Sequence, residues 1–306
     1  MTVIDVSTKF ATLRTATAQA RLSVSPQTLA LIHERKIPKG DPLEVAKVAA
    51  VHAAKHTSDI IPYCHPMPVD FVGVDYEFGE GTIIVRTTVK AIYKTGVEME
   101  ALTAATVAAL TLYDMLKMLD DRMTIRDVEL LSKTGGKSDF TTASETPLRA
   151  AVLVMSDSIV SGKKSDASGQ LIVARLKKEG VNVEDYRIIP DDADLIASTI
   201  RAYADERHLD LVVTTGGTGF SPRDSTPEAM ASVLEREAPG IAEAARAYGQ
   251  ERTPYAMLSR ARAGLRGNTL IVNLPGSRGG VADSLHALFP GILHAFPMIK
   301  GGRHDQ

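Results

Sequence analysis

The chain has 306 residues, 44% hydrophobic and 24% charged, with a formal net charge of −2. The length suits two ordinary domains, and the balanced charge excludes the overall basic field of a nucleic-acid binder. Tryptophan is absent and aromatic residues make up only 5%, which removes base-stacking platforms, while the one cysteine, Cys64, forbids an intramolecular disulfide and fits a reducing cytoplasm.

The first residues, Met-Thr-Val-Ile-Asp-Val-Ser-Thr-Lys, lack the basic-then-apolar pattern of a signal peptide, and no apolar run is expected to span a membrane. Residues 1–22 are polar and rich in Ala and Thr and read as an arm that orders on a neighbouring molecule. Ser25-Pro26 opens a short helix through Glu34. Lys39-Gly40-Asp41-Pro42 is a turn in which Asp41 caps the helix Leu43–His56 and Pro42 takes its first position. Prolines flank the Cys64-His65 pair in Ile60–Pro66 and stiffen it. Val69–Phe78 and Thr82–Ile92 alternate like two antiparallel strands around Gly79-Glu80-Gly81.

Lys94-Thr-Gly-Val-Glu-Met-Glu-Ala-Leu-Thr-Ala-Ala then leads into a run without charge from Ala101 to Leu112. Five alanines keep this helix thin, and it is expected to be buried on nearly all sides. It nevertheless carries Glu98 and Glu100 at one end and Asp114 and Lys117 at the other. Capping plus a surface ion pair is the commoner explanation for such charges in an arbitrary helix. Glu100 and Asp114 lie within roughly 40° on the helix wheel but about 21 Å apart along the axis. One pocket is not expected to hold both, so a site using both ends requires a second subunit. A strand over Met123–Leu131 and the basic glycine loop Lys133–Ser138 follow, giving helices against an antiparallel sheet, an α+β arrangement.

From residue 139 the sequence loses periodicity, and the linker is placed at 141–148, between domains 1–140 and 149–306. Beyond it strands and helices alternate: Arg149–Met155, a helix Ser168–Glu179, Val181–Ile189, a helix Ala193–Glu206, then Leu209–Thr215 running into Gly216-Gly217-Thr218-Gly219. Thr226 is read as the N-cap of the next helix, Thr269–Leu274 as a further strand, and the residues from about Gly280 as a long C-terminal helix. The pattern predicts a three-layer, mostly parallel α/β domain with ligands at the strands' carboxyl ends.

The ionisable set of the first half is Lys39, Lys55, His65, Glu98, Glu100, Asp114, Lys117, Lys133 and Lys137. Lysines among carboxylates suit a polyanionic substrate and proton transfer. His65 alone is more often structural than catalytic. Zinc finds no ligand set around Cys64. Gly136-Lys137-Ser138 mimics the end of a P-loop, but the motif needs glycine where Leu131 stands. In the second half, glycines behind a strand let backbone N–H groups approach an anion, and Arg223, Asp224 and the Thr-Pro-Glu helix start strengthen that reading. Asp191 ends a strand on the same face, and with Asp224 it would suit Mg²⁺, although an Asp191-Asp192 pair is more often a helix cap.

Lys39-Gly-Asp, Ile61-Pro-Tyr-Cys-His-Pro66, Lys94-Thr-Gly-Val-Glu-Met-Glu-Ala-Leu-Thr-Ala, Leu112-Tyr-Asp114 and Lys133-Thr-Gly-Gly-Lys137 together resemble the MoaC family, cyclic pyranopterin monophosphate synthases, over about residues 3–139. The resemblance implies a ferredoxin-like α+β fold and hexamers with sites between subunits. It also implies conversion of a 3′,8-cyclised dihydroguanosine triphosphate to a pyranopterin with loss of diphosphate, without a tightly bound cofactor. The implied site residues are Lys39, His65, Glu98, Glu100, Asp114, Lys117 and Lys133. The residue types assign Lys39 and Lys117 as the expected proton-transfer pair and His65 to phosphate or base, with Lys39, Lys55, Lys117 and Lys133 available to the triphosphate.

Thr214-Thr-Gly-Gly-Thr-Gly219, Pro222-Arg-Asp-Ser-Thr-Pro-Glu-Ala229, Ala256-Met-Leu-Ser-Arg260 and Asn273-Leu-Pro-Gly276 resemble the MoaB/Mog molybdopterin-binding family over about residues 149–300. That resemblance implies adenylylation of molybdopterin with Mg²⁺ and ATP. Its implied site residues are Asp191, Gly217, Thr218, Gly219, Asp224, Ser259 and Pro275, with Asp191 and Asp224 on Mg²⁺. A non-catalytic pterin-binding or oligomerisation module is the alternative. The chain is thus expected to be a cytoplasmic homo-oligomer, a fusion acting on nucleotide-derived and pterin substrates, with no nucleic acid or membrane partner. The resemblances place sulfur insertion between the two steps, so direct channelling is poorly motivated.

Overall fold

Strand β1, Thr12–Ser23, alternates Ala16, Ala18, Ala20 and Leu22 toward a core where each is fully buried. In the computed structural model it sits between two antiparallel neighbours, so the arm expected over residues 1–22 is corrected: only 2–11 lack regular structure. The Ala/Thr alternation that looked merely polar is the period-two signature of a half-buried strand. The structure describes residues 2–140 and 147–302, without the side chain of Lys137, and the chain divides into two units between Asp139 and Phe140. The expected linker lies mostly outside the described residues, and Leu148, its last position, belongs to the core of the second unit.

In the first unit β1 is followed by α1 (Pro26–His33), α2 (Pro42–Lys55), the short α3 (Thr57–Ile60), β2 (Phe71–Gly79), β3 (Thr82–Tyr93), α4 (Glu98–Leu116) and β4 (Thr124–Thr134). The sheet is antiparallel, in the order β2-β3-β1-β4. Capping fixes the helix starts: Ser25 Oγ accepts the Thr28 N–H, and Asp41 Oδ1 accepts those of Leu43 and Glu44. Asp120, buried behind α4, holds α1 in place by accepting from Ser25 N at 2.6 Å and Thr28 Oγ1 at 3.0 Å.

Helix α4 lies on the sheet beside α2. Ala46, Ala50 and Ala54 of α2 join Ala101, Ala104, Ala105, Ala108 and Ala109 of α4 in one core, and the small side chains allow the close approach. A larger residue forced in here would cost about 1–3 kcal/mol in strain. Burial on nearly all sides does not hold: Met99 and Leu110 are 39% and 56% exposed in the single chain. By length and composition alone α4 could cross a membrane, contrary to the expectation from the sequence, but its alanine face is packed in the core.

The second unit runs β5 (Arg149–Met155), the short α5 (Asp157–Val160), α6 (Ser168–Lys178), β6 (Asn182–Ile189), α7 (Ala193–Arg201), β7 (Leu211–Thr215), α8 (Thr226–Val233), β8 (Arg236–Glu237), α9 (Pro239–Gln250), β9 (Ala263–Arg266), β10 (Thr269–Leu274), α10 (Arg278–Leu288) and α11 (Ala295–Ile299). The sheet order is β6-β5-β7-β10-β9-β8, parallel through β10 and antiparallel at β9 and β8. Both faces are covered. Ala150, Val152 and Val154 of β5 enter one core with α6 and α10, and Ala151, Leu153 and Met155 enter the other with α7 and α8. That is why β5 reads as an unbroken apolar run. The long C-terminal helix expected from Gly280 is instead the 11-residue α10, a 3-10 turn and α11. Helix α8 begins at Thr226 itself, with Ser225 in the cap position.

Candidate functional site

The two ends of α4 carry two separate groups of charges. At its C-terminal end Asp114 is held by both expected lysines: Lys39 Nζ donates to its Oδ2 at 3.1 Å and to its backbone carbonyl at 2.8 Å, and Lys117 Nζ lies 2.7 Å from Oδ1. Lys117 and then Lys39 hold the exposed Asp114 carboxyl below the usual carboxylate range, and Asp114 raises the Lys117 ammonium.

At the N-terminal end Glu98 Oε1 pairs with Lys133 Nζ of β4 at 3.1 Å. Here the end of β3, the start of α4 and the end of β4 close a polar cleft of about 250 Å³. Lys9, Arg14, Lys94 and Lys133 line it, against Glu98 and Asp139. Gly135 sets the turn between two lining residues, Thr134 and Gly136. Its φ of +89° is left-handed, and a Cβ there would run into the Leu13 carbonyl of β1. Thr12 Oγ1 donates to the Gly135 carbonyl and the Gly135 N–H to Asp139 Oδ2, tying the loop down. Lys9, Arg14 and Lys94 are absent from the expected site. The first two were hidden because residues 1–22 read as an arm; recognising β1 would have exposed Arg14.

Glu100, in the first turn of α4, is 2% exposed. Cys64 Sγ donates to its Oε1 at 3.3 Å, while Oε2 has no partner among the described residues. Burial, more than the neighbouring Glu98, raises the Glu100 carboxyl, and burial with the Glu100 contact pushes the Cys64 thiol up to about 12. His65 is bound through Nε2 to the Ile4 carbonyl at 2.9 Å. The expected residues thus fall into four places: Lys39 with Asp114 and Lys117, Glu98 with Lys133, Glu100 with Cys64, and His65 with the Ile4 carbonyl. Lys55 ends α2 in neither charged group, and the Lys137 side chain lies outside the described residues. Glu100 and Asp114 stand about 21 Å apart along α4.

In the second unit the carboxyl ends of β5, β6 and β7 converge on a cleft of about 320 Å³ lined by Ser156, Lys164, Asp191, Gly216 and Gly217 among others. Gly217 has φ +60°, and a Cβ there would meet Thr226 Oγ1 and come within 3.0 Å of Asp191 Oδ1. Asp191 and Asp157 bind each other's backbone N–H at 3.3 and 3.2 Å, and Arg223 pairs with Asp157. Asp224 Oδ2 accepts from Ser221 N at 2.9 Å. Burial first, then Asp157 and Asp224, raise the Asp191 carboxyl. Asp157 is absent from the expected site, although it follows β5 just as Asp191 follows β6.

Thr218 and Gly219 offer their carbonyls to Arg260, so their backbone oxygens are spent on the fold. Ser259 and Pro275 do not line the Asp191 cleft. They lie on a second one, about 240 Å³, with Asn273, Tyr255 and Gly280. Asn273 is 2% exposed, and its Oδ1 has no partner among the described residues.

Mg²⁺ fits the first of these clefts in a limited way. Asp191 Oδ1 is buried without a partner and Asp157 and Asp224 act on it, which is hard-oxygen chemistry. No group of three acidic, His or Cys residues that would cage an ion is found among the described residues. Such a site suits a hydrated ion carried largely by phosphate oxygens.

Two family models match the chain: the MoaC family over residues 3–136 and the probable molybdopterin binding domain over 151–294. A molybdenum cofactor biosynthesis bifunctional protein of Chlorobaculum tepidum is 45% identical over 300 residues, covering 98% of this chain and 95% of its own. A cyclic pyranopterin monophosphate synthase of Pelobacter propionicus is 55% identical over 138 residues, 44% of this chain and 86% of its own. A solved MoaB of Thermus thermophilus is 43% identical and covers 50% of this chain and 97% of its own, with a TM-score of 0.48.

Proposed function

The chain belongs to the family of molybdenum cofactor biosynthesis bifunctional proteins, and from that premise we propose that its first unit forms cyclic pyranopterin monophosphate from a 3′,8-cyclised dihydroguanosine triphosphate, releasing diphosphate, while its second binds molybdopterin and adenylylates it with Mg-ATP. The observation that carries the first part is the cleft in which Lys9, Arg14, Lys94 and Lys133 face one another around two glycine turns. Four cations against two acids leave a surplus of positive charge suited to a triphosphate. Ring opening and reclosure require repeated proton transfer. The Lys39–Asp114–Lys117 group supplies exchangeable protons, since Asp114 stays ionised and keeps both ammonium groups oriented. The sheet order of the first unit supports a ferredoxin-like reading.

Because the two groups lie at opposite ends of α4, the working form is a homo-oligomer in which one copy offers the phosphate cleft and another the lysine pair. The exposed Met99 and Leu110 give α4 an apolar stripe for such contact.

In the second unit the glycine turn beside Asp191 receives phosphates, and the cleft of Asn273, Ser259 and Pro275 receives a flat heterocycle whose N–H donates to Asn273 Oδ1, the amide atom without a partner among the described residues. Mg²⁺, when bound, offsets phosphate charge, with Asp191 and Asp224 as its protein oxygens. Adenylyl transfer is then positioning and charge stabilisation, to which Arg223 and Lys164 contribute cations.

The test is diphosphate release by the whole chain from each substrate pair separately: the cyclised triphosphate alone, and ATP with molybdopterin. Release from both supports the proposal. Release from the first alone makes the second unit a binding module, and release from neither overturns the assignment. Asp224→Ala is the control for the second reaction.

A further inference from the structure

Glu100 is the most deeply buried acid in the described chain outside ion pairing, and its sole side-chain hydrogen-bond partner is a thiol. Burying a carboxylate with one weak donor costs several kcal/mol, which a neutral carboxyl avoids. Burial therefore raises the Glu100 carboxyl above its ordinary value, outweighing its own backbone N–H and the Cys64 thiol, which lower it. The charged residues around it are few and identifiable: Glu98 on the same turn of α4, Lys133 on β4 paired with Glu98, and Cys64 on the segment before β2. A second carboxylate so near favours the neutral form further. A buried Oε2 without a partner among the described residues is uncommon and calls for a cause beyond packing. That oxygen belongs to the same first turn of α4 whose Glu98 lines the phosphate cleft.

We propose that Cys64 is a positioning residue of the N-terminal site: its thiol, donating to Oε1, fixes the Glu100 carboxyl so that Oε2 presents the proton this site delivers. The segment suits the task. Pro62 and Pro66 bracket Cys64, and its N–H bonds back to the Ile61 carbonyl, so the sulfur has little freedom to leave the carboxyl. The thiol stays intact in this role, because it donates a hydrogen bond and neither attacks nor binds metal. A thiol pushed up to about 12 is a poor nucleophile, in keeping with that function. The inference rests on reading this unit as a pyranopterin-forming enzyme, and the experiment has an arm independent of that reading.

The first arm is infrared spectroscopy of the whole chain. Cys64 is the only cysteine, so the S–H stretch is a single band in a clear window. In Glu100→Gln that band shifts, and a protonated-carboxyl C=O band present in the parent at neutral pH disappears. The second arm is turnover of the cyclised triphosphate against pH. The thiol hydrogen bond favours the ionised carboxyl, so Cys64→Ala moves the Glu100-controlled limb to higher pH. It lowers kcat roughly tenfold with KM changed less than about twofold. Cys64→Ser, a stronger donor, restores kcat and moves the limb to lower pH. An unshifted S–H band, or no protonated-carboxyl band in the parent, overturns the pairing whatever the enzyme's activity. Infrared changes as expected with an unaltered pH profile in Cys64→Ala overturn the positioning role. A parent chain without turnover overturns the functional reading and leaves the pairing to the infrared result.

Discussion

Replacing Asp191 by Asn should make the second unit more stable while removing its metal-dependent function. Asp191 Oδ1 is buried without a partner, and Asp157 and Asp224 stand close enough to raise its carboxyl. An unsatisfied buried polar atom costs about 1–3 kcal/mol. Asn keeps the shape and an oxygen for the Asp157 N–H but discards the charge, while its amide recovers only part of the cost, so the net gain is about 1 kcal/mol. For a domain of this size that is a rise in Tm of about 2–4 °C. The sign follows from proton linkage. With the folded pKa raised, the folded state binds more protons than the unfolded one between the ordinary Asp value and the raised one. Native stability therefore falls as pH rises through that window. The Asn variant escapes that fall, so its advantage is full above the window and vanishes near pH 4, at about the unfolded Asp pKa. Calorimetry of the whole chain in metal-free buffer reads the effect, and Mg-ATP should then stabilise the parent and not the variant. A variant melting at or below the parent at neutral pH, without metal, refutes the electrostatic reasoning.

Asp120→Ala should cost about 3–4 kcal/mol, since it strips a buried acceptor from Ser25 N, Thr28 Oγ1 and Arg122 N; a denaturant midpoint unchanged from the parent would contradict this. Burial pushes that carboxyl up, but the donors outweigh it and hold it below the ordinary value. The parent should keep this stabilisation above about pH 4 and lose it only as pH falls through the lowered value. Lys117→Ala should leave substrate affinity unchanged and reduce turnover to near zero, and full activity would remove Lys117 from the chemistry.

Legibility in the sequence followed periodicity. The unbroken β5 and β7 runs and the Asp41 and Ser25 caps gave their elements to within a residue or two, because burial on both faces and side-chain caps are local signals. β1 was misread because Ala and Thr alternate with little hydrophobic contrast, and Lys9 and Arg14 went with it. The separation of Glu100 from Asp114 followed from helix rise alone. The Cys64–Glu100 hydrogen bond did not, since it joins residues 36 positions apart through tertiary packing. The division of Ser259 and Pro275 from Asp191 was equally invisible, because family motifs name residues without saying which cleft each lines.

Complementation by mixed subunits tests the shared site most directly. Lys117→Ala damages one end of α4 and Lys133→Ala the cleft at the other, and each variant alone should be inactive. Unfolded together and reassembled in equal amounts, random pairing should restore about a quarter of parental diphosphate release, because some sites then draw both intact ends from different copies. No recovery from a mixture shown to contain both variants in one particle would mean that each chain builds its site alone.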